Sequence, residues 1–178
     1  TGVITLTAPN TDVDRTITLP DGTGSILMSD GDGSGLTGIG KVLQVVSVSK
    51  DDTYSSSGTT FADITGLAAS ITPSATTSKI MVIIDVGYSI GSVNNSSFNL
   101  RALRDATVIA AGDTAGSRDL GFFGQTTATA FYDIYHNVLR AGVSYLDSPS
   151  STSSLTYKVQ GRISNGSNTF YINRSDSD

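Results

Sequence analysis

The chain has no cysteine, no tryptophan, one histidine (His136) and not one glutamate, so that all sixteen of its acidic residues are aspartate. Each absence excludes something. Without cysteine there is no disulfide, no thiolate nucleophile and no cysteine-based zinc site, which leaves packing and association to hold the fold and the redox compartment open. Glutamate is a good helix former, and in its place stand 49 Ser and Thr and 19 Gly among 178 residues. Ser, Thr and Asp compete with helical hydrogen bonding and Gly loses too much entropy in it, so the expected class is all-β. Lys and Arg number only eleven, are scattered, and leave a net charge of −5. Nucleic-acid affinity comes chiefly from such residues, so nucleic acid is not an expected partner. No apolar run approaches the ~20 residues of a membrane span and no basic-then-apolar segment opens the chain, so membrane insertion is not expected. The chain opens on Thr1 and is expected to be a portion of something longer.

What is present begins with short strands. Val3-Ile4-Thr5-Leu6-Thr7, Arg15-Thr16-Ile17-Thr18-Leu19 and Ser25-Ile26-Leu27-Met28 are rich in β-branched residues and closed by turn formers such as Pro9-Asn10 and Pro20-Asp21-Gly22. Three short strands make no core of their own, and the nearest covering surface is the same segment of another copy. Residues 1–29 are therefore expected to form an intertwined stalk in a homo-oligomer. Glycines at 31, 33, 35, 38 and 40 then mark a neck over residues 30–41, without the every-third spacing of a collagen helix.

From residue 42 to 178 the pattern predicts one antiparallel β-sandwich, jelly-roll-like. Val42 to Ser49 alternates as a strand with one buried face. Lys79 to Gly87 is near-continuously apolar, a strand covered on both faces, by the opposite sheet on one side and by a neighbouring subunit or a loop on the other. Leu155 to Ile163 is the cleanest: Leu155, Tyr157, Val159, Gly161 and Ile163 face one way, and Thr156, Lys158, Gln160 and Arg162 the other. Further strands are expected at Thr59–Thr65, Leu67–Thr72, Ser97–Asp105, Thr107–Ala111, Leu120–Gly124, Thr129–Arg140, Val143–Leu146 and Thr169–Asn173.

Thr5 to Asp12 and Asp14 to Asp21 resemble the strand repeats of bacteriophage tail fibres. Lys41 to Val48, Ile64-Thr65-Gly66-Leu67 with Ile71-Thr72-Pro73, Tyr145 to Pro149 and Thr156 to Gln160 resemble the distal head domains of tailed-phage fibres, especially those infecting marine bacteria. The resemblance implies a homotrimeric virion protein with a thin stalk, a glycine neck and a β-sandwich head. Its implied partners are other phage tail proteins and, at the host surface, a bacterial glycan or outer-membrane protein. Its implied place is the virion tail fibre, after assembly in the host cytoplasm.

Residues with chemistry point mostly to structure. A Ser-His-Asp site would need His136, whose nearest carboxylate in sequence is Asp133, but no Gly-x-Ser-x-Gly elbow occurs and His136 falls within an alternating strand. A glycosidase would need paired carboxylates, and most aspartates here, such as Asp51, Asp52 and Asp113, adjoin Gly, Ser or Thr where they close turns. Asp30-Gly31-Asp32-Gly33-Ser34-Gly35 opens like a calcium loop, yet Lys41 stands where the bidentate glutamate belongs; a looser ion site at a trimer neck, from Asp30 or Asp32, stays open. No enzyme and no cofactor is expected. Phe122, Phe123, Phe131, Tyr132 and Tyr135 cluster near Arg118 and Asp119, and Arg118, Asp119 and Tyr135 are the candidate receptor-binding residues. The rival functions are a purely structural fibre or decoration protein and a saccharide-cleaving depolymerase.

Overall fold

The computed structural model describes residues 42–91, 96–113, 116, 119–127 and 137–176. The expected stalk and neck, residues 1–41, lie outside them. So does most of the strand expected at Thr129–Arg140, and with it Asp133, Tyr135 and His136; Arg118 lies outside as well. Gln44–Asp178 forms one compact unit.

The described residues are all-β and contain no helix. The strands are β1 (Tyr54–Ser56), β2 (Ala62–Ile71), β3 (Ile80–Ile90), β4 (Ser96–Arg104), β5 (Thr107–Ile109), β6 (Phe123–Thr127), β7 (Leu139–Asp147), β8 (Leu155–Ile163) and β9 (Phe170–Ile172). They form two antiparallel sheets, ordered β1-β9-β3-β7 and β2-β8-β4-β5, with β6 also on β4. The pairings nest: β4 with β5, β3 with β7, β2 with β8, β1 with β9. This is one long two-stranded ribbon rolled upon itself, and the added pairs β3 with β9 and β4 with β8 seal the roll. At the innermost bend Arg104 pairs Thr107, and Asp105 takes a φ of 52°, a left-handed conformation that aspartate tolerates better than most residues. The Asp105 carboxylate also accepts the Thr156 amide at 2.9 Å, which ties the bend to β8.

The alternation of β8 is observed as the sequence predicts, buried at Leu155, Tyr157, Val159, Gly161 and Ile163 and wetter between. Val159 and Ile163, with Ile64 of β2 and Phe98 and Leu100 of β4, pack with Val86, Tyr88 and Ile90 of β3 and Phe170 and Ile172 of β9, while Leu155 and Tyr157 pack with Ile80, Ala102 and Ile109 in a second cluster. The Phe98 and Phe170 rings meet across the interior with centroids 4.7 Å apart. Each such aromatic removes enough apolar area from water to contribute on the order of 2 kcal/mol or more. Gly161 makes room for this contact: a Cβ built on it would lie 2.9 Å from Phe170 Cζ and 3.3 Å from Ile64 Cδ1.

Several expectations are corrected. Val42 to Ser49 is not a strand; every residue of it is exposed, Val42 and Val45 at 80%, because an alternating segment becomes a strand only where a neighbour supplies the ladder. The two strands expected at Thr59–Thr65 and Leu67–Thr72 are one strand, β2, carried across a register shift between Asp63 and Ala68 that contains Gly66 at a φ of 87°. The short β1 had not been foreseen. In β3, Ile80, Val86, Tyr88 and Ile90 are buried, but Met81 and Ile83 on the other face are 59% and 73% exposed, so neither a loop nor another strand of the described chain covers them.

Candidate functional site

The outward face of the β2-β8-β4 sheet carries a connected set of charged, amide and aromatic side chains. Register sets it out: Asp63 on β2 is opposite Gln160 on β8, which is opposite Arg101 on β4. Gln160 Nε2 donates to Asp63 Oδ1 at 2.5 Å, and Arg101 Nε donates to Gln160 Oε1 at 2.8 Å. With its amide nitrogen engaged by a carboxylate, Gln160 must turn its carbonyl to Arg101, so the three side chains orient one another. Lys158 Nζ donates to Asp63 Oδ2 at 2.8 Å. The Lys158 ammonium and the Gln160 amide together hold the Asp63 carboxyl below its ordinary range.

Phe61, just before β2, lies beneath this row. The Arg101 guanidinium carbon is 4.1 Å from the Phe61 ring centroid and that of Arg162 is 5.4 Å from it. Arginine is suited to this position, since its flat, weakly hydrated cation rests on a ring while its edge donors stay usable. Arg162 is further anchored to Asp119 through Nη2 and to the Thr59 carbonyl through Nη1 at 3.3 Å. Its Nε is buried without a hydrogen-bond partner. Desolvation lowers the Arg101 pKa from its ordinary value, and the neighbouring Arg162 charge adds to that, against the opposing pull of Asp119 and Asp63.

Of the three receptor-binding candidates, Asp119 is thus placed on this face and paired with Arg162, while Arg118 and Tyr135 lie outside the described residues. Phe61 and Arg101 had escaped the sequence reading. Lys158, Gln160 and Arg162 had been seen only as the wet side of β8, and that alternation was the available signal: three long polar side chains in succession on one face of an interior strand.

The outward face of the other sheet is different in kind. Met81 pairs Leu146, both exposed, and Ile83 stands beside them on the same face. Further along, Asp85 and Arg140 form an exposed ion pair. A cleft of about 450 Å³ is lined by Val48, Leu67, Asp85, Val138 and Arg140 among others.

A third group is interior and joins the sheets. Asp147, 4% exposed at the end of β7, accepts both its Arg104 Nη1 contacts at 2.8 Å and the Tyr157 hydroxyl at 2.6 Å. The Ser148 amide donates to it at 2.9 Å. The hydrogen bonds that Arg104 donates to Asp147 raise the Arg104 pKa, and burial followed by the hydrogen bond to Asp147 pushes the Tyr157 phenol up. Donors from Arg104, Ser148 and Tyr157 thus converge on this carboxylate, which fixes β7 against β4 and β8. Among the described residues no group of three or more His, Cys, Asp or Glu could hold a metal ion.

The chain matches no known protein family and no curated protein.

Proposed function

We propose that this chain is part of a bacteriophage tail fibre, a homotrimer whose jelly-roll head attaches the virion to a bacterial surface glycan or outer-membrane protein without catalysing a reaction. The observation that carries the reading is the contrast between the two outward faces of one sandwich. One presents Met81, Ile83 and Leu146 to water, 59%, 73% and 55% exposed. The other presents Arg101, Arg162, Lys158, Asp63, Asp119 and Gln160 around Phe61.

Contiguous exposed apolar residues on a sheet mark an association surface. Its occupant in this reading is another copy of the same chain. The exposed Asp85–Arg140 pair beside the patch offers a neighbouring copy both a carboxylate and a guanidinium to pair with. Jelly rolls bury both sheet interiors within one chain and leave the outer faces for neighbours and ligands. Three modest sites per fibre, and several fibres per particle, then convert weak contacts into durable attachment by effective concentration. The likeness of the leading sequence, Thr5 to Asp12 and Asp14 to Asp21, to fibre stalk repeats supports the same arrangement, with other tail proteins as partners and the virion as the location.

Light scattering tests the assembly: the expected solution mass is about three times the 18.4 kDa chain. A stable compact monomer at micromolar concentration overturns the reading. Competition of the isolated protein against phage adsorption tests attachment. A trimer that binds no cell and no glycan array would be the purely structural fibre, and loss of capsule on incubation would reveal the depolymerase.

A further inference from the structure

The charged face of the β2-β8-β4 sheet is not electrically balanced. Lys158 is paired with Asp63 and Arg162 with Asp119. Among the described residues Arg101 completes no ion pair, and its hydrogen bond goes from Nε to the neutral carbonyl of Gln160. Among the described residues three cations thus share two carboxylates, on a chain whose overall charge is −5. This local excess is the reverse of what the composition predicts.

Arg101 is also held in place. Phe61 lies under the guanidinium at 4.1 Å, Gln160 fixes its Nε edge, and Asp63 fixes Gln160. What remains is the terminal edge, whose Nη donors no described residue engages. A side chain whose rotamer is already set loses little further freedom when a ligand arrives, and the fork of a guanidinium matches the two oxygens of a planar or tetrahedral oxyanion. The second guanidinium, Arg162, shares the same ring at 5.4 Å and repels the first. An anion beside them relieves that repulsion, while Asp63, Gln160 and Asp119 offer acceptors to hydroxyl groups around it.

We infer that this face binds an anionic saccharide, with Arg101 taking the oxyanion of the sugar and the surrounding Asp63, Gln160 and Asp119 taking its hydroxyls. The inference rests on the attachment reading above and narrows its receptor to acidic glycans, whether the oxyanion is a uronate carboxylate or a sugar phosphate.

The experiment is titration of the full chain, by calorimetry at low and at physiological salt, with a tetra-uronate, the uncharged glucose oligomer of the same length, glucose phosphate and inorganic phosphate. Binding of the uronate or the sugar phosphate, weakened by salt and absent for the neutral oligomer, is the expected result, and which of the two binds identifies the oxyanion. Arg101→Gln should weaken that binding by about tenfold or more, the effect of losing one charge-assisted bidentate contact, with solution mass and melting temperature unchanged. Arg101→Lys, which keeps the charge and loses the fork, should fall between. Equal binding of the neutral oligomer, inorganic phosphate binding as tightly as its sugar ester, no binding of any anionic probe, or an Arg101→Gln protein that binds as before would each overturn it. The two readings separate in the adsorption assay. If wild type and Arg101→Gln block phage adsorption equally, attachment stands and this site falls; if neither blocks, attachment itself falls.

Discussion

Gly161 shows how much of the sandwich depends on a single missing atom. Its place on the buried side of β8 is where the Phe170 ring crosses from the other sheet, and a methyl group there would meet the ring at 2.9 Å. The ring cannot withdraw freely, because Phe98 and Tyr54 flank it with centroids 4.7 and 6.0 Å away. Gly161→Ala is expected to cost about 1–3 kcal/mol, the usual penalty of overpacking a filled core, and to lower the melting temperature by roughly 2–4 °C per kcal/mol in a domain of this size. A thermal melt followed by circular dichroism reads it. A rise in stability would mean that the interior is looser than its contacts imply. The sequence placed Gly161 on the correct face of its strand, but the reason for a glycine there was not legible, since the atom that needs the space is on the other sheet.

Among the elements, legibility followed the partner rather than the pattern. β8 was read end to end because it is interior, with neighbours on both sides and one buried face, so its alternation reports real surroundings. Val42 to Ser49 alternates as well and forms no strand, because no described strand pairs with its backbone. β1 is too short to show a period, and only its register against β9 makes it a strand. The candidate site divided in the same way: Asp119 was within reach of sequence reasoning, whereas Phe61 and Arg101 are joined to Arg162 only by cross-strand register, which composition does not encode. For β3, the apolar run was legible, and the structure leaves one of its two faces wet at Met81 and Ile83. Changing both to Ser should therefore leave the monomer fold intact, as neither fills the interior, yet shift sedimentation velocity toward the single-chain mass. Unchanged sedimentation would exclude this face from the assembly.

At the scale of the whole molecule, the buried phenols Tyr88 and Tyr157 contribute to the response to alkali. Burial raises the Tyr88 pKa from 10.0 to about 12, and Tyr157 is raised as well by burial and by Asp147. In the unfolded chain these groups ionise near the ordinary value. A folded-state pKa above the unfolded one means stability that is whole below pH 10.0 and is lost as pH rises toward about 12. Urea midpoints across that window should fall, with the Tyr88 share on the order of 2 kcal/mol. Tyr88→Phe should flatten the fall while giving up the hydroxyl's hydrogen bond to Gln125. An undiminished alkaline slope in that variant would assign the effect elsewhere.

The rolled ribbon also sets a timetable for the growing polypeptide. β9, the latest of the described strands to leave the ribosome, sits inside its sheet between β1 and β3, and its Phe170 fills the centre of the interior. Until those residues emerge, the edges of β1 and β3 stay open and the hollow that Phe170 will occupy stays wet. Nascent chains therefore hold an unclosed sheet prone to stray pairing until β9 emerges, and refolding should be slow for a protein of this length, since its closing contacts join the first and last of the described strands.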